Sequence, residues 1–399
     1  MGVLYSPTRV LFGCDGLPSR LAGRPERRVT LLLDSGVADS VIAATIRRQL
    51  THARLQADVV VLTGAGTLES VLGLADRLAG TELVVGVGGG SLLDQAKLAT
   101  TLRDNPAARR HLTVPQRTGL LALPPHIVRA VPLVLVPTTL GTGSELSTSA
   151  CLDYPQGKRL IMGEALLPDV AVLDPAATAT LPGELVAEGV LEALCRLINP
   201  YVGGHDDQVT EDALVEAIAG RLMTLGHRVG AAVTGAVPDA VPDPVRAEIA
   251  KLSGLSHSGW VHQGRSPYSV KGWLVTNELS SVLGVRKMTA VAAFLPVLWQ
   301  AVADGDTRLG SAPRLARLWE RLRVTDLTLP ADPVAGARAL IGSWGVHHRL
   351  EATPEQLAEV ARRVVRSWGA GLPMLGGLSA AEVLAMVTDA AAAAKTSVP

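Results

Sequence analysis

Residues 83–101, LVVGVGGGSLLDQAKLATT, decide the fold of this 399-residue chain. Residues 83–87 are apolar and largely β-branched, a pattern that predicts a buried strand. Three glycines follow, and because they lack a Cβ they allow a sharp turn and a close approach of a ligand to the backbone. These glycines are Gly88, Gly89 and Gly90.

A helix is predicted directly after the glycine turn. Ser91, with Asp94 three residues later, has the spacing of a capping box. The helix N-terminus would offer unpaired N–H groups and the positive end of its dipole, which suits a pyrophosphate. A plain strand-to-helix turn, with Asp94 as a cap and Lys97 in solvent, would show the same spacing, so both interpretations are open at this point.

The sequence before the glycine turn alternates between predicted strands and helices. The strands are predicted at residues 3–12, 29–33 and 57–62, and the helices at residues 37–50 and 67–79. Such alternation implies parallel strands and a doubly wound sheet. Asp34 ends the second strand, where its carboxylate can accept hydrogen bonds from ribose hydroxyls or cap the following helix.

A second glycine-rich loop follows an apolar strand predicted at residues 131–136. The loop reads PTTLGTGSE over residues 137–145 and places four hydroxyl side chains around two glycines. Hydroxyls and backbone amides on such a turn can bind phosphate and a nicotinamide carboxamide. The four hydroxyl residues are Thr138, Thr139, Thr142 and Ser144.

The two loops together resemble one enzyme superfamily. GGGSLLDQAK resembles the GGGSxxDxxK motif, and PTTLGTGSE the PTTxGTGSE motif, of the iron-containing alcohol dehydrogenase and dehydroquinate synthase superfamily. The resemblance implies that the glycines bind the pyrophosphate of NAD(P), that Asp94 and Lys97 face the cleft near the substrate, and that Asp34 favours NAD over NADP. It covers the N-terminal half of the chain and, more loosely, the rest.

The sequence pattern changes at residue 183. Strands and helices alternate before this point, whereas helical periodicity continues from it to the end of the chain. We therefore predict a Rossmann-like NAD(P)-binding α/β domain over residues 1–182 and an all-α substrate domain over residues 183–399, which the resemblance implies as a dehydroquinate synthase-like fold. Residues 103–130 are rich in proline and arginine and are predicted to be irregular.

Composition and charge exclude several classes of protein. The net charge is zero, which implies no nucleic-acid partner. No apolar run is long enough to span a bilayer, and the N-terminus lacks the pattern of a signal peptide. The cysteines Cys14, Cys151 and Cys195 are scattered, which favours a reducing, cytoplasmic location and argues against a cysteine metal site.

The helical half departs from the superfamily at the expected metal ligands. Metal-dependent members supply an acidic residue and histidines to a divalent ion, and the corresponding residues here are Glu192, Asn277, Ser281 and Lys287. Asparagine is a poor ligand for zinc or iron, and an ammonium group cannot ligate a metal. The sequence therefore predicts that no metal is bound. An ion pair with Arg196 explains Glu192 as well as a catalytic role does.

Lys287 would place a positive charge near the position of the missing ion. A lysine whose pKa is lowered by burial can act as a base, and a charged lysine can stabilise an oxyanion. Arg265, Lys271 and Arg286 make the surrounding segment basic, which suits a substrate with a carboxylate. The alternative is that all four are solvated loop charges, and of the four only Lys287 is assigned a catalytic role.

These features predict an NAD(P)-dependent dehydrogenase that oxidises a hydroxyl group without a metal. The residues assigned to its chemistry are Asp94, Lys97, Glu192, Asn277, Ser281 and Lys287. If the substrate is a β-hydroxy acid, the product is a β-keto acid, which loses carbon dioxide readily. This chemistry is similar to that of the dehydrogenase-like oxidative decarboxylases of daptide biosynthesis, a peptide natural-product pathway, which act on a C-terminal threonine of a precursor peptide.

Two alternative functions stay open. The first is a sugar-phosphate cyclase resembling dehydroquinate synthase, which the position of Glu192 favours and the missing histidines disfavour. The second is a non-catalytic relative that binds a nucleotide and a partner protein. The resemblance also implies self-association, so the expected partners are a small-molecule or peptide substrate and further copies of the chain.

Overall fold

The computed structural model describes residues 7–22, 26–129, 131–235 and 241–396, which form two compact units. The α/β unit comprises the described residues up to Pro182 together with Pro242–His257, and the helical unit comprises the remainder. The sequence analysis assigned residues 242–257 to the helical domain, whereas their contacts group them with the α/β unit.

Strands are confined to the α/β unit in the described part of the chain. They are β1 (Arg9–Phe12), β2 (Arg28–Asp34), β3 (Gln56–Leu62), β4 (Leu83–Gly88), β5 (Leu120–Ala122), β6 (Leu133–Pro137), β7 (Ser149–Tyr154), β8 (Gly157–Met162) and β9 (Val170–Leu173). The strand predicted at residues 3–12 is described only from residue 7, and its first four residues lie outside the described part of the chain.

Helices occur in both units. They are α1 (Leu17–Leu21), α2 (Val41–His52), α3 (Leu68–Arg77), α4 (Gly90–Leu102), α5 (Pro106–Thr113), α6 (Gly183–Gly203), α7 (Val209–Val233), α8 (Asp243–Leu255), α9 (Gly259–His262), α10 (Lys271–Leu283), α11 (Lys287–Ala303), α12 (Ala312–Arg323), α13 (Pro333–Ser343), α14 (Pro354–Trp368) and α15 (Ala380–Thr396). No helix among the described residues is both long and apolar enough to cross a membrane.

The main sheet has six strands in the order β1-β9-β6-β4-β2-β3. Every neighbouring pair is parallel, which confirms the predicted doubly wound sheet. All six residues of β4 are buried, because helices cover both faces of a parallel sheet and favour continuous apolar strands. The glycine turn after β4 therefore lies at the carboxyl edge of a central strand, where nucleotides bind in such sheets.

A second, smaller sheet was not anticipated. Its three strands lie in the order β5-β8-β7, with β7 and β8 forming an antiparallel hairpin. Residues 103–130 were predicted to be irregular, but they contain α5 and β5. That prediction was wrong for these two elements. Proline stands at the first turn of α5, a position that helices tolerate, and β5 forms by pairing with β8.

A buried ionic network joins helices within the helical unit. Asp212 on α7 accepts hydrogen bonds from Arg314 and Arg265 at 2.7 and 2.8 Å, and Arg314 also donates to the carbonyl of Tyr201 on α6 at 2.8 Å. Burial raises the pKa of the Asp212 carboxyl, but the hydrogen bonds from the two arginines outweigh it and lower the pKa overall. The arginine side chains therefore stabilise the ionised form of this carboxylate.

Candidate functional site

The glycine turn leaves the N-terminus of α4 without a side-chain cap among the described residues. Gly89 is the N-cap, and the helix begins at Gly90, two residues earlier than the predicted capping box requires. The prediction that Ser91 and Asp94 cap the helix is therefore wrong, and Ser91 is exposed. Because no side chain occupies the first N–H groups of this 13-residue helix, they are available to an anionic ligand.

The second loop packs directly over the glycine turn. A Cβ added to Gly89 would lie 3.0 Å from Cγ2 of Thr139, and one added to Gly90 would lie 3.0 Å from Cγ2 of Thr142. The backbone N–H of Thr138 donates to the carbonyl of Gly88 at 3.0 Å. The two loops therefore form one cradle, in which a side chain at either glycine would require a threonine to shift.

Two hydroxyls in this cradle are buried without a partner. Oγ1 of Thr139 and Oγ1 of Thr142 have no hydrogen-bond partner among the residues that the structure describes. Buried polar groups are normally satisfied, and an unsatisfied one at a cradle indicates a place for a ligand. Bare helix N–H groups and two unpartnered hydroxyls fit the phosphates and the amide of a dinucleotide.

Asp34 lies beside the same turn, at the carboxyl end of β2. A Cβ on Gly88 would come within 2.9 Å of the Cβ of Asp34, and Oδ1 of Asp34 accepts a hydrogen bond from the Gly36 N–H at 2.9 Å. Helix α2 begins at Val41 with Ser40 as its cap. The alternative that Asp34 caps this helix is therefore excluded, whereas a role at a ribose remains compatible with its position.

Asp94 and Lys97 are held by protein groups. Asp94 accepts hydrogen bonds from the Ser144 hydroxyl at 2.5 Å and from the Cys151 N–H at 2.8 Å. Lys97 is fully buried and donates to the carbonyls of Ser144 and Ser149 at 2.9 and 2.5 Å, with Asp94 at 3.3 Å. These contacts tie α4 to the second loop and to β7. They favour a structural role for both residues over the proton transfer predicted from sequence.

Helix α8 and the residues that follow it form hydrogen bonds with the second loop, a feature that the sequence analysis missed. The Gly141 N–H donates to the Ser253 hydroxyl at 3.1 Å, and Nε2 of His257 lies 2.8 Å from the carbonyl oxygen of Thr142. Gly143 has a left-handed backbone with φ of 58°, and a Cβ there would lie 2.5 Å from the His257 ring. No local sequence signal predicts this contact, because the partners are more than one hundred residues apart.

The residues at the expected metal position form an ion-pair cluster within the helical unit. Glu192 on α6 lies 3.3 Å from a guanidinium nitrogen of Arg196 and 3.7 Å from Nζ of Lys287. Nζ of Lys287 also lies 4.1 Å from the centre of the Trp273 ring on α10, a cation–π contact. The predicted ion pair of Glu192 with Arg196 is present, and Lys287 shares the same carboxylate.

The other two candidate residues lie on α10. Asn277 is 3 % exposed, and its Oδ1 has no hydrogen-bond partner in the described part of the chain. Ser281, one turn further on, is exposed. No group of three His, Cys, Asp or Glu residues that could hold a metal occurs among the described residues. One carboxylate, one amide and one ammonium do not fit an iron or zinc site.

Three other basic residues of this segment have protein partners. Arg265 pairs with Asp212 at 2.8 Å, and Arg286 pairs with Glu188 at 2.6 Å. Lys271 donates to the carbonyl of Tyr268 at 3.0 Å, and burial lowers the pKa of its ammonium. The alternative that these residues are solvated loop charges is therefore wrong for Arg265 and Lys271, whereas the Arg286 side chain is 53% exposed and stays partly solvated.

The fold and the cradle define the class of protein. A six-stranded parallel sheet that ends in a glycine turn, followed by a helical unit, is a dinucleotide-binding arrangement. Residues 7–175 match the family model described as "Iron-containing alcohol dehydrogenase". Over these residues the chain is thus similar to the iron-containing alcohol dehydrogenase family.

Known relatives agree with this family. Long-chain-alcohol dehydrogenase 1 of Geobacillus thermodenitrificans is 32% identical over 189 residues, covering 47% of this chain and 46% of that protein. The NADPH-dependent aldehyde reductase YqhD of Escherichia coli is 27% identical over 310 residues, covering 75% of this chain and 76% of that protein. The alignment with the first relative therefore spans less than half of its length.

Solved structures show the same fold. The NADH-dependent butanol dehydrogenase A of Thermotoga maritima superposes with a TM-score of 0.80 at 18% identity, covering 98% of each chain. This likeness confirms the predicted fold, a Rossmann-like α/β region followed by a helical region, over nearly the whole length.

Proposed function

We propose that the protein is an NAD(P)-dependent oxidoreductase that interconverts an alcohol and a carbonyl compound. The observation that carries the proposal is the cradle of the α/β unit, in which bare helix N–H groups meet the unpartnered hydroxyls of Thr139 and Thr142. The relatives that share this domain are named as alcohol dehydrogenases and an aldehyde reductase, which supports the same reaction class.

Different residues of the cradle would bind different parts of the cofactor. The N–H groups at the start of α4 would bind the pyrophosphate, as helix N-termini do in dinucleotide sites. The hydroxyls of Thr139 and Thr142 would bind further polar groups of the cofactor. The Asp34 carboxylate would accept hydrogen bonds from ribose hydroxyls and repel a 2′-phosphate, which favours NAD over NADP. When bound, the cofactor supplies the acceptor or donor of a hydride.

We also propose that catalysis needs no resident metal. The support is the donor set, because Asn277 and Lys287 cannot replace two histidine ligands. The ammonium of Lys287 would instead stabilise the developing negative charge on the substrate oxygen. Glu192 and the Trp273 ring hold this ammonium in place.

A finer proposal concerns a β-hydroxy acid substrate, such as the C-terminal threonine of a precursor peptide. Oxidation would move a hydride to NAD+ and release one proton, leaving a β-keto acid. The bond between the α-carbon and the carboxylate then breaks, carbon dioxide leaves, and the electron pair stays on the resulting enolate, which takes up a proton. A fixed cation such as Lys287 would stabilise that enolate.

The test combines cofactor binding, metal analysis and turnover. NADH titration followed by fluorescence should show one site per chain, and metal analysis of the purified protein should find no stoichiometric zinc or iron. Incubation with a chelator should change turnover of an alcohol panel by less than about twofold. Failure to bind NADH or NADPH would overturn the proposed oxidoreductase activity. One bound metal ion per chain would overturn the proposal that catalysis needs no metal.

The decarboxylation step has its own readout. A peptide ending in threonine, incubated with NAD+, should lose two hydrogens and then carbon dioxide by mass spectrometry, with NADH formed in equal amount. Cofactor binding without turnover of any alcohol, aldehyde or peptide would instead support the non-catalytic alternative.

A further inference from the structure

A cleft in the α/β unit lies at the edge of the main sheet opposite the glycine turn. It contains about 480 Å³ of free space, a volume typical of small-molecule sites. Its lining includes Arg9 and Val170, which begin or nearly begin β1 and β9, and Arg129, which precedes β6. Because these strands are parallel to β4, their starts lie at one edge and the glycine turn lies at the other. The length of the five-residue β6, roughly 15 Å, therefore separates the cleft from the cofactor cradle.

The guanidinium of Arg129 is fixed in the lining of this cleft. Its Nη1 donates to Oδ2 of Asp169 at 2.8 Å, and its Nη2 donates to the carbonyl of Leu167 at 2.7 Å. The side chain is 10% exposed, and its Nε has no hydrogen-bond partner among the residues that the structure describes. A buried donor without an acceptor is costly in the free protein, so it points to a ligand that brings an acceptor.

The charges of the cleft favour an anion. Three arginines and two carboxylates line it, which leaves one net positive charge. Asp169 is already paired with Arg129, and Glu164 is the other carboxylate. Arg9 and Arg20 are exposed, and no carboxylate in the described part of the chain pairs with either. Their guanidinium groups are therefore available to a carboxylate or a phosphate, which arginine binds with two parallel hydrogen bonds.

The uncharged part of the lining is rigid and apolar. Pro7, Pro125 and Pro168 contribute to it, and because proline fixes its own φ this part of the cleft is preformed. Ile127 and Val128 add aliphatic surface, and Val128 is 69% exposed. A short apolar chain bound here would cover that surface and remove it from water.

We propose that this cleft binds a small organic anion, a carboxylate or phosphate that carries a short apolar chain. Arg9 and Arg20 would bind the anionic group, and Arg129 would donate its Nε–H. A neutral ligand would leave the arginines unpaired, and an inorganic anion would leave the apolar surface exposed. The site is separate from the proposed active site, because its lining belongs to neither the cofactor cradle nor the helical unit.

Four matched probes test the proposal on the full-length chain. They are hexanoate, hexyl phosphate, hexanamide without the charge, and acetate without the chain. Binding is measured by calorimetric titration and saturation-transfer NMR. We expect the tighter of the two chain-bearing anions to bind at least about tenfold more tightly than hexanamide, the size of one charged hydrogen bond. Acetate should bind about tenfold more weakly than hexanoate because it buries fewer methylene groups. The tighter anion identifies the head group as carboxylate or phosphate.

A double variant assigns the anionic group to the two unpaired arginines. Arg9→Gln combined with Arg20→Gln should weaken both chain-bearing anions at least about tenfold and leave hexanamide unchanged. The melting temperature should stay the same, because both side chains are exposed. The control combines Arg47→Gln with Arg48→Gln, which removes two exposed arginines from α2 of the same unit and changes the net charge equally.

Two single variants test the other features of the cleft. Glu164→Gln should tighten both chain-bearing anions about threefold, because it removes the carboxylate that repels them. Val128→Ser should weaken hexanoate about threefold and leave acetate unchanged, since it removes apolar contact alone. Its control is Val41→Ser, at a valine of α2 that is 81% exposed. Arg129 is left intact because it holds the segments that lead into β6 and β9.

The outcomes separate this inference from the proposed function. The anion site is overturned if neither chain-bearing anion binds, if hexanamide or acetate binds as tightly as they do, or if the two double variants lose affinity equally. NADH titration of the same variants should give the parent affinity, because the cleft lies at the other edge of the sheet. If NADH fails to bind while hexanoate still depends on Arg9 and Arg20, the proposed function is wrong and the anion site stands.

Discussion

The start of α4 in the α/β unit and the start of α11 in the helical unit are alike in one respect. Both helices begin without a side-chain cap among the residues that the structure describes. At α4 the adjacent residues are glycines and threonines, whereas at α11 they are Arg286 and Lys287. The first site offers backbone N–H groups to a ligand, and the second offers charged side chains.

This difference explains why one motif is intact and the other is altered. At the glycine turn a single Cβ would meet Thr139 or Thr142 at 3.0 Å, so a substitution there would require the threonine to shift. At the second site the scaffold persists, with Gly284 in a left-handed conformation ending α10. The ligand positions there depend on side chains alone. Such positions can exchange imidazole for an amide or an ammonium without loss of the fold.

The largest expected effect comes from restoring the missing ligands. Asn277→His combined with Lys287→His should place two imidazoles near Glu192 and remove the competing ammonium. We expect the double variant to bind one zinc ion per chain with micromolar or tighter affinity, about 8 kcal/mol, where the parent binds none. Calorimetric titration and metal analysis measure this. The pair Asn277→Leu and Lys287→Met is the control, and equal zinc binding by both variants would show that the scaffold no longer holds a ligand geometry.

Removal of the Lys287 charge is expected to have the next largest effect. Lys287→Met should lower kcat/KM by about a thousandfold, the size of a lost oxyanion donor, while NADH affinity stays the same. Lys287→Arg should recover part of the activity because it keeps the charge. Lys251→Met, which alters a half-exposed lysine on α8, is the control. Full activity of the Lys287→Met variant would show that Lys287 has no role in the mechanism.

Loss of the backbone cradle should affect the cofactor alone. Gly89→Val would push side-chain atoms against Thr139 and cover the first N–H groups of α4. We expect NADH affinity to fall about a hundredfold, equivalent to one or two charge-assisted hydrogen bonds. Gly73→Val on α3 adds the same atoms where a Cβ meets nothing within 4 Å. If both variants bind NADH equally well, the glycine turn is not the nucleotide site.

The smallest expected effect concerns the choice of cofactor. Asp34→Ser should remove the charge that repels a 2′-phosphate and shift the NADPH-to-NADH affinity ratio by about tenfold towards NADPH. Fluorescence titration of both nucleotides measures the ratio. Asp58→Ser serves as the control, because Asp58 lies on the neighbouring edge strand β3 and away from the carboxyl end of that strand. An unchanged affinity ratio in Asp34→Ser would show that this carboxylate does not contact the ribose.

Local sequence patterns are sufficient to predict the parallel sheet, the two glycine-rich loops and the absence of histidines at the expected ligand positions. Each of these features can be predicted from a short segment of sequence, because strand periodicity, a glycine turn and a ligand position depend on neighbouring residues. The same local reasoning failed at Ser91, which has the spacing of a cap but lies inside α4. Spacing shows which residues could cap a helix, and the first helical residue depends on how the turn packs.

The burial and pairing of the charged residues, in contrast, become visible in the folded chain alone. Lys97 and Lys287 both follow a glycine-containing turn in the sequence. The first is fully buried against carbonyls 47 and 52 residues away, and the second pairs with a carboxylate on another helix. The physical reason is that burial and pairing are set by chain segments brought together by folding, and no local pattern carries that information.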